Sequence, residues 1–378
     1  MKRTTLLFIF FVFAIIGNSQ DAFFYGNKQI NGYLNPALTG INGSWSFTLI
    51  GKEQYLNTTG DFFSGGLSVE QSWPCHKIDA GIFHVFDKEG DGLFTTNHTG
   101  LNIVYTIPFN FLGELNNIRF GLKSQYTHKS IDWTKLTFSD QINPKYNLED
   151  ASGALNQSAF EVPNSNSLSR FTLGFGVIHK VDIGRVYKWS MTYGVSIENF
   201  TNLFGERDYD SILQLQNNNT KHINKWSLYL APEFPVAKSN NSYFGLRPSI
   251  IMLQEGTLTN IQMGVEAKYR YAYSLGFYFG NSHFEDFDQD TKSLIFDTSV
   301  STTINRTSQV TIGFQYIHNI GGFSEVFGQT IQVTISYHLK NDGCASTPTT
   351  RSDCPPTSKR HRSLYENIWG TSVQGINI

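Results

Sequence analysis

The chain is poor in charge, in cysteine and in long apolar runs. Only 16% of its 378 residues are Asp, Glu, Lys or Arg, below the ~25% of an ordinary soluble domain. The net charge of −2 removes the basic field on which a nucleic-acid binder depends. Three cysteines are too few for a disulfide framework in an exported chain of this length. Beyond the first residues no apolar run reaches the ~20 of a membrane helix, so any membrane span is made of strands. Catalytic signatures are missing as well: there is no Gly-x-Ser-x-Gly elbow, His-Glu-x-x-His pair or phosphate loop. The ten histidines are scattered, and His84, His98 and His128 fall singly within strand candidates. We therefore expect a non-enzyme without a cofactor.

What is present points to export and to strands. Met1 to Ser19 reads as a secretory signal peptide: Lys2 and Arg3 lead an apolar run from Leu6 to Ile16, and Gly17 and Ser19 are small residues at the cleavage offsets. The mature start is expected near Gln20, with no cysteine there for a lipid anchor. The mature chain is rich in aromatics and glycine, with 31 Phe, 18 Tyr, 6 Trp and 33 Gly in the full sequence. Aromatics suit the interface girdles of a membrane barrel, and glycine suits its curved strands.

Alternation is the dominant pattern. In Gln329 to Leu339, Ile331, Val333, Ile335, Tyr337 and Leu339 share one face, and Thr330, Gln332, Thr334, Ser336 and His338 share the other. About fourteen such strand candidates follow one another between Ser44 and Leu339. Examples are Thr95–Ile107, Asn117–His128, Ser169–Val181 and Val186–Asn199. Many reach the ~9–11 residues of a tilted membrane strand rather than the ~5–6 of a globular one. Their polar faces carry Glu198, Arg247, Glu266 and Lys268, which a dry sandwich core could not hold unpaired and a hydrated lumen could. The fold expected is all-β: a single transmembrane antiparallel barrel of the outer-membrane type.

Loop lengths agree with this. Outer-membrane barrels have short periplasmic turns and longer outer loops. The long connections, about Lys129–Leu168, Phe200–Asn224 and the acidic His283–Lys292, all have outside parity. Asp182–Arg185, Tyr269–Tyr271 and Asn305–Thr307 have inside parity, as do Cys75 and the tail. The expected division is a signal over 1–19, a periplasmic lead-in over 20–43, a barrel over 44–339 and a periplasmic tail over 340–378. Cys344 and Cys354 in that tail are a candidate disulfide, and two free thiols in a solvated tail are the equal alternative. The tail is either solvated or a docking peptide for a periplasmic partner. Asp286, Asp288 and Asp290 alternate like calcium ligands, but the glycine and distal Glu of an EF-hand loop are missing. A solvated acidic loop is the plainer reading, and no metal site is assigned.

Between the signal and the first strand runs Tyr33-Leu34-Asn35-Pro36-Ala37-Leu38-Thr39-Gly40, preceded by Gln20-Asp21 and by Phe23, Phe24 and Tyr25. This resembles the N-terminal signature of the PorP/SprF family of Bacteroidetes outer-membrane proteins, and the resemblance extends more weakly to about Leu339. Tyr33, Leu34, Asn35, Pro36, Ala37 and Gly40 carry the motif. The family's basic and aromatic cluster after the glycine is thin here, reduced to Lys52 and Tyr55, and the tail exceeds the family's usual end. The resemblance implies an integral outer-membrane barrel, embedded in lipid and tied to type IX secretion and gliding motility. Its implied partners are a large secreted substrate or surface adhesin, supported in export or surface attachment, and the periplasmic ring or motor components. The residues themselves say less. Proline pushes Asn35 out of the helical region, and Gly40 and Gly43 permit tight backbone geometry. Tyr33 to Gly40 is thus either a fixed plug or a simple lead-in. A porin or transporter for small or hydrophobic solutes is the competing function.

Overall fold

The alternating sequence closes into a wall. The computed structural model describes residues 22–339 apart from 58–59, 61, 74–75, 91–93, 112–113, 143–147, 150–152, 161–165, 184–188, 201–207, 210–219, 222–223, 239–242, 257, 285–288, 306–307 and 321–327. Its strands are β1 (Trp45–Glu53), β2 (Phe62–Trp73), β3 (Ile78–Glu89), β4 (Phe94–Phe111), β5 (Glu114–Ser130), β6 (Ser167–Ile183), β7 (Trp189–Glu198), β8 (Asp208–Tyr209), β9 (Thr220–Lys221), β10 (Lys225–Lys238), β11 (Tyr243–Glu255), β12 (Leu258–Tyr269), β13 (Tyr273–Phe284), β14 (Gln289–Asn305), β15 (Ser308–Ile320) and β16 (Thr330–Leu339). The short β8 and β9 pair with each other between β7 and β10. The other fourteen form a closed barrel in sequence order, and β1 pairs with β16 from Trp45↔Leu339 to Glu53↔Ile331. Every ladder in the wall is antiparallel. Closure leaves no edge, so the backbone is satisfied without water.

Several strands outrun their expected bounds. β4 has 18 residues, and β5, β6 and β14 have 17 each. The ladders continue past the stretches where alternation is obvious, as where Pro108 faces Asn117 and Phe111 faces Glu114. The expected acidic loop His283–Lys292 is corrected most. β13 runs to Phe284 and β14 starts at Gln289, so only residues 285–288 connect them. His283 and Asp290 face each other across the ladder, 2.7 Å apart. The long connections, residues 131–166 and 199–224, lie at one end of the barrel, and the other end has only short turns.

The outer surface is apolar at mid-height: Leu49, Leu67, Ile82, Leu101, Leu122, Val195 and Phe277 all point outward. Trp45, Trp73, Tyr269 and Tyr273 ring the short-turn end. Such a surface is stable only against hydrocarbon flanked by interfacial aromatics. Leu122 is 58% exposed near the middle of β5. Leu122→Arg is expected to cost about 2–4 kcal/mol in urea unfolding from vesicles, as for a midplane charge. Leu155→Arg, in the long β5–β6 connection, is expected to change nothing. Equal effects of the two would mean that the wall does not face lipid.

Candidate functional site

The lumen is not an open, hydrated channel. Residues 22–44 fill it, and every residue from Gly32 to Ile41 is buried. The local conformation follows from the motif. Asn31–Leu34 makes one helical turn, which stops where Pro36 forbids Asn35 the helical region. Asn35 is extended, at φ −149° and ψ 121°, and its Oδ1 accepts from Ala37 N at 2.9 Å. That side-chain cap starts the 3-10 turn Pro36–Leu38, with proline at a position where its missing N–H costs nothing. Gly40 at φ +71° and Gly43 at φ +65° then turn the chain into β1.

Three apolar seats hold the segment. Leu34, Ala37, Leu38 and Ile41 pack with Ile178, Tyr229, Ala231, Ile251 and Leu253. Ala22, Phe24, Ile30 and Tyr33 pack with Ile50, Phe83 and Val85. Tyr25 packs with Tyr278, Ile295 and Ile317. Glycines in the wall let the motif come this close. A Cβ at Gly121 of β5 would overlap the backbone of Pro36 and Ala37, and one at Gly176 of β6 would overlap the Asn35 amide.

Polar side chains of the wall hold the backbone of the segment. Arg119 on β5 is fully buried. Its Nε donates to Ala37 O at 2.8 Å, another guanidinium nitrogen donates to Thr39 O, and Asp79 lies 3.0 Å away as counter-ion. Gly40 N donates to Glu70 Oε2 at 2.8 Å. Asn102 Nδ2 donates to Gly32 O and Thr39 Oγ1, both at 3.0 Å. Lys123 donates to Tyr33 O at 2.8 Å and pairs with Glu198. The ammonium groups of Lys123 and Lys225 lie 5.5 and 4.7 Å from the Tyr33 ring, in cation–π range. Lys52 donates to Phe23 O at 2.7 Å. Gln332 brackets Tyr25, accepting from its N at 2.9 Å and donating to its O at 3.0 Å. Lys28 donates to Glu266 at 2.8 Å, Ser274 at 2.7 Å and Asp297 at 3.1 Å. Burial opposes the Lys28 ammonium, but the two carboxylates outweigh it and hold its pKa above the ordinary lysine value. Below the segment, toward the short turns, a vestibule of about 180 Å³ remains, lined by Asn42, Tyr271, Ser299, Gln309 and His338 among others.

The structure thus gathers Tyr33, Leu34, Asn35, Pro36, Ala37 and Gly40 into one buried unit. The strand charges read as hydrated are paired instead: Glu198 with Lys123, Glu266 with Lys28 and Lys268 with Glu233, while Arg247 donates to Tyr229 Oη. Low dielectric makes a partner necessary wherever the segment excludes water. Sequence reading missed Arg119, Lys123, Asp79 and Glu70; their signal was full charges on the lumen faces of β2, β3 and β5. Of the calcium candidates, Asp290 is engaged by His283, and Asp286 and Asp288 lie outside the described residues. No group of three or more metal-ligating side chains forms among the described residues. Cys75, Cys344, Cys354, the signal and the tail also lie outside them.

Arg119→Met would leave Asp79 and two carbonyls buried without their donor. It is expected to cost about 3–5 kcal/mol of barrel stability, the usual result of breaking a buried ion pair. A thiol introduced as Ala37→Cys should resist maleimide in the native barrel and react once Arg119 is replaced. Equal labelling in both backgrounds would show that Arg119 does not hold the segment.

A family model described as type IX secretion system membrane protein PorP/SprF matches residues 16–337. No curated protein matches the sequence. Among solved structures, the CymD monoaromatic hydrocarbon channel is similar at TM-score 0.43 and 11% identity, over 84% of this chain and 94% of that one. The Pseudomonas putida toluene transporter TodX is similar at TM-score 0.38 and 9% identity, over 85% and 95%. The Acinetobacter baumannii outer membrane protein Omp33 scores 0.38 at 9% identity, over 79% and 100%. At these scores the likenesses carry no functional argument.

Proposed function

The chain belongs to the PorP/SprF family of type IX secretion system membrane proteins, and from that premise we propose that it is a closed outer-membrane accessory, supporting export or surface attachment of one large secreted protein. The observation that carries this reading is the seated segment. Its three apolar seats and its bonds to the wall set buried side chains across the lumen, which supports a barrel that works through its two ends. The same feature counts against the solute-channel reading, in which the segment would have to leave its seats. In planar bilayers the purified protein is expected to give no steady conductance. Stable open-pore steps would favour the channel reading instead.

The long-loop end is the side that would meet the exported partner. The described parts of the β5–β6 connection are packed and hydrogen-bonded. Ile131 and Trp133 are buried against Phe94, Leu136, Phe138, Phe160 and Leu168. Asp140 accepts from Ala159 N at 2.6 Å and from Ser158 Oγ at 2.9 Å, and these bonds, that from Ala159 foremost, hold its carboxyl below the ordinary Asp range. On this platform Leu155 stands 74% exposed beside Ile142 and Leu148, which are also exposed. Exposed leucine on a fixed loop suits a protein partner. The short-turn end, with its vestibule, would meet the periplasmic ring or motor components.

Affinity purification of a tagged copy from detergent-solubilised outer membranes, followed by mass spectrometry, tests this. The expected result is recovery of one large secreted surface protein or of periplasmic secretion components. Leu155→Asp is expected to reduce recovery of the secreted protein several-fold while the barrel stays folded. Recovery of the barrel alone, where other type IX complexes survive, would overturn the proposal.

A further inference from the structure

Lipid-facing positions of the wall are mostly filled by large side chains, but one region is hollow. Gly51 of β1 and Gly65 of β2 face each other in register, with Val333 beside Gly51 and Phe86 beside Gly65. Both glycines occupy outward positions; the Phe86 ring lies over Gly65, and beside it a recess of about 330 Å³ opens over Gly51. The Phe63 and Phe86 rings, 5.4 Å apart, close one end of the recess. Leu49, Leu67 and Ile335 continue it toward mid-height. Gly51 lies two residues from the outer end of β1, so the recess sits in the half of the wall nearer the long loops. Its floor is supported from inside, where Ile30 of the seated segment packs close against Gly66.

We propose that this recess binds one acyl chain of an outer-leaflet lipid. The lining decides the chemistry. His84 is the one polar side chain among the described lining residues, and its Nδ1 already bonds Thr99 Oγ1 at 2.9 Å. An occupant therefore finds, at this depth, at most the His84 Nε2 as a hydrogen-bond partner. A peptide segment would bring N–H and C=O groups that hydrocarbon cannot satisfy, whereas an acyl chain brings only methylenes. The recess opens to the hydrocarbon of the outer leaflet, which supplies such chains at that height. A chain lying over Gly51 meets protein beneath it and the Phe63 and Phe86 rings beside it, more contact than a flat stretch of wall offers. More dispersion contacts and fixed ring walls make this chain slower to exchange than its neighbours.

Gly51→Leu fills the recess from its floor. A Cβ at Gly51 meets only the Phe63 ring, at 3.7 Å, so the backbone does not have to move. Val333→Trp narrows the recess from the β16 side and guards against a folding artefact in the first variant. Each protein would be washed extensively in detergent, checked for heat-modifiable migration as a folded barrel, and its retained fatty acids measured by gas chromatography. The expected result is a retained lipid on the native protein, reduced at least several-fold in whichever variants remain folded. Fatty acid removed as completely from the native protein as from Gly51→Leu would overturn the proposal, and so would equal retention in all three.

Discussion

The Arg119 guanidinium is the point on which the interior depends. It is a full charge with no access to water, donating to Ala37 O, Thr39 O and Thr106 Oγ1, with the Asp79 carboxylate 3.0 Å away as counter-ion. A guanidinium is suited to this because its planar fork presents several fixed donors at once. Without the segment, the same arginine would face Asp79 across an emptied lumen, and the carbonyls it serves would be elsewhere. The charge makes the seated conformation specific: an apolar seat tolerates sliding by a fraction of a turn, whereas a fork holding two carbonyls does not.

Around that point the wall and the segment are matched in shape. Gly121 and Gly176 on the neighbouring strands β5 and β6 make a shallow bed for Asn35, Pro36 and Ala37, and any side chain there would lift the motif off its donors. Asn35 serves twice, capping the 3-10 turn from above and lying against Gly176 below. The family motif is therefore one half of a fit whose other half is spread across distant strands. Tyr33, between the ammonium groups of Lys123 and Lys225, extends the same logic to an aromatic face.

The wall was legible in the sequence because alternation is local. Val333 and Ile335 outward with Gln332 and Thr334 inward can be read from four residues, and loop parity needs only lengths. The turn at Asn35-Pro36 was legible for the same reason, since proline acts on its neighbour. The seats were not legible. Ala37 and Arg119 are 82 residues apart, and Gln332 and Tyr25 are 307 apart. Alternation assigns a residue to the lumen without naming what it meets there, so Glu198 read as a hydrated charge. The strand ends were blurred where ladder bonds outlast the pattern, as they do at His283 and Asp290.

The seated segment immediately precedes β1, and β1 is also the strand that closes the wall against β16. Both strands of that seam also grip the segment: Lys52 of β1 holds Phe23 O, and Gln332 of β16 brackets Tyr25. It is then less a stopper than a mandrel, a form against which the seam between the first and last strands is drawn tight.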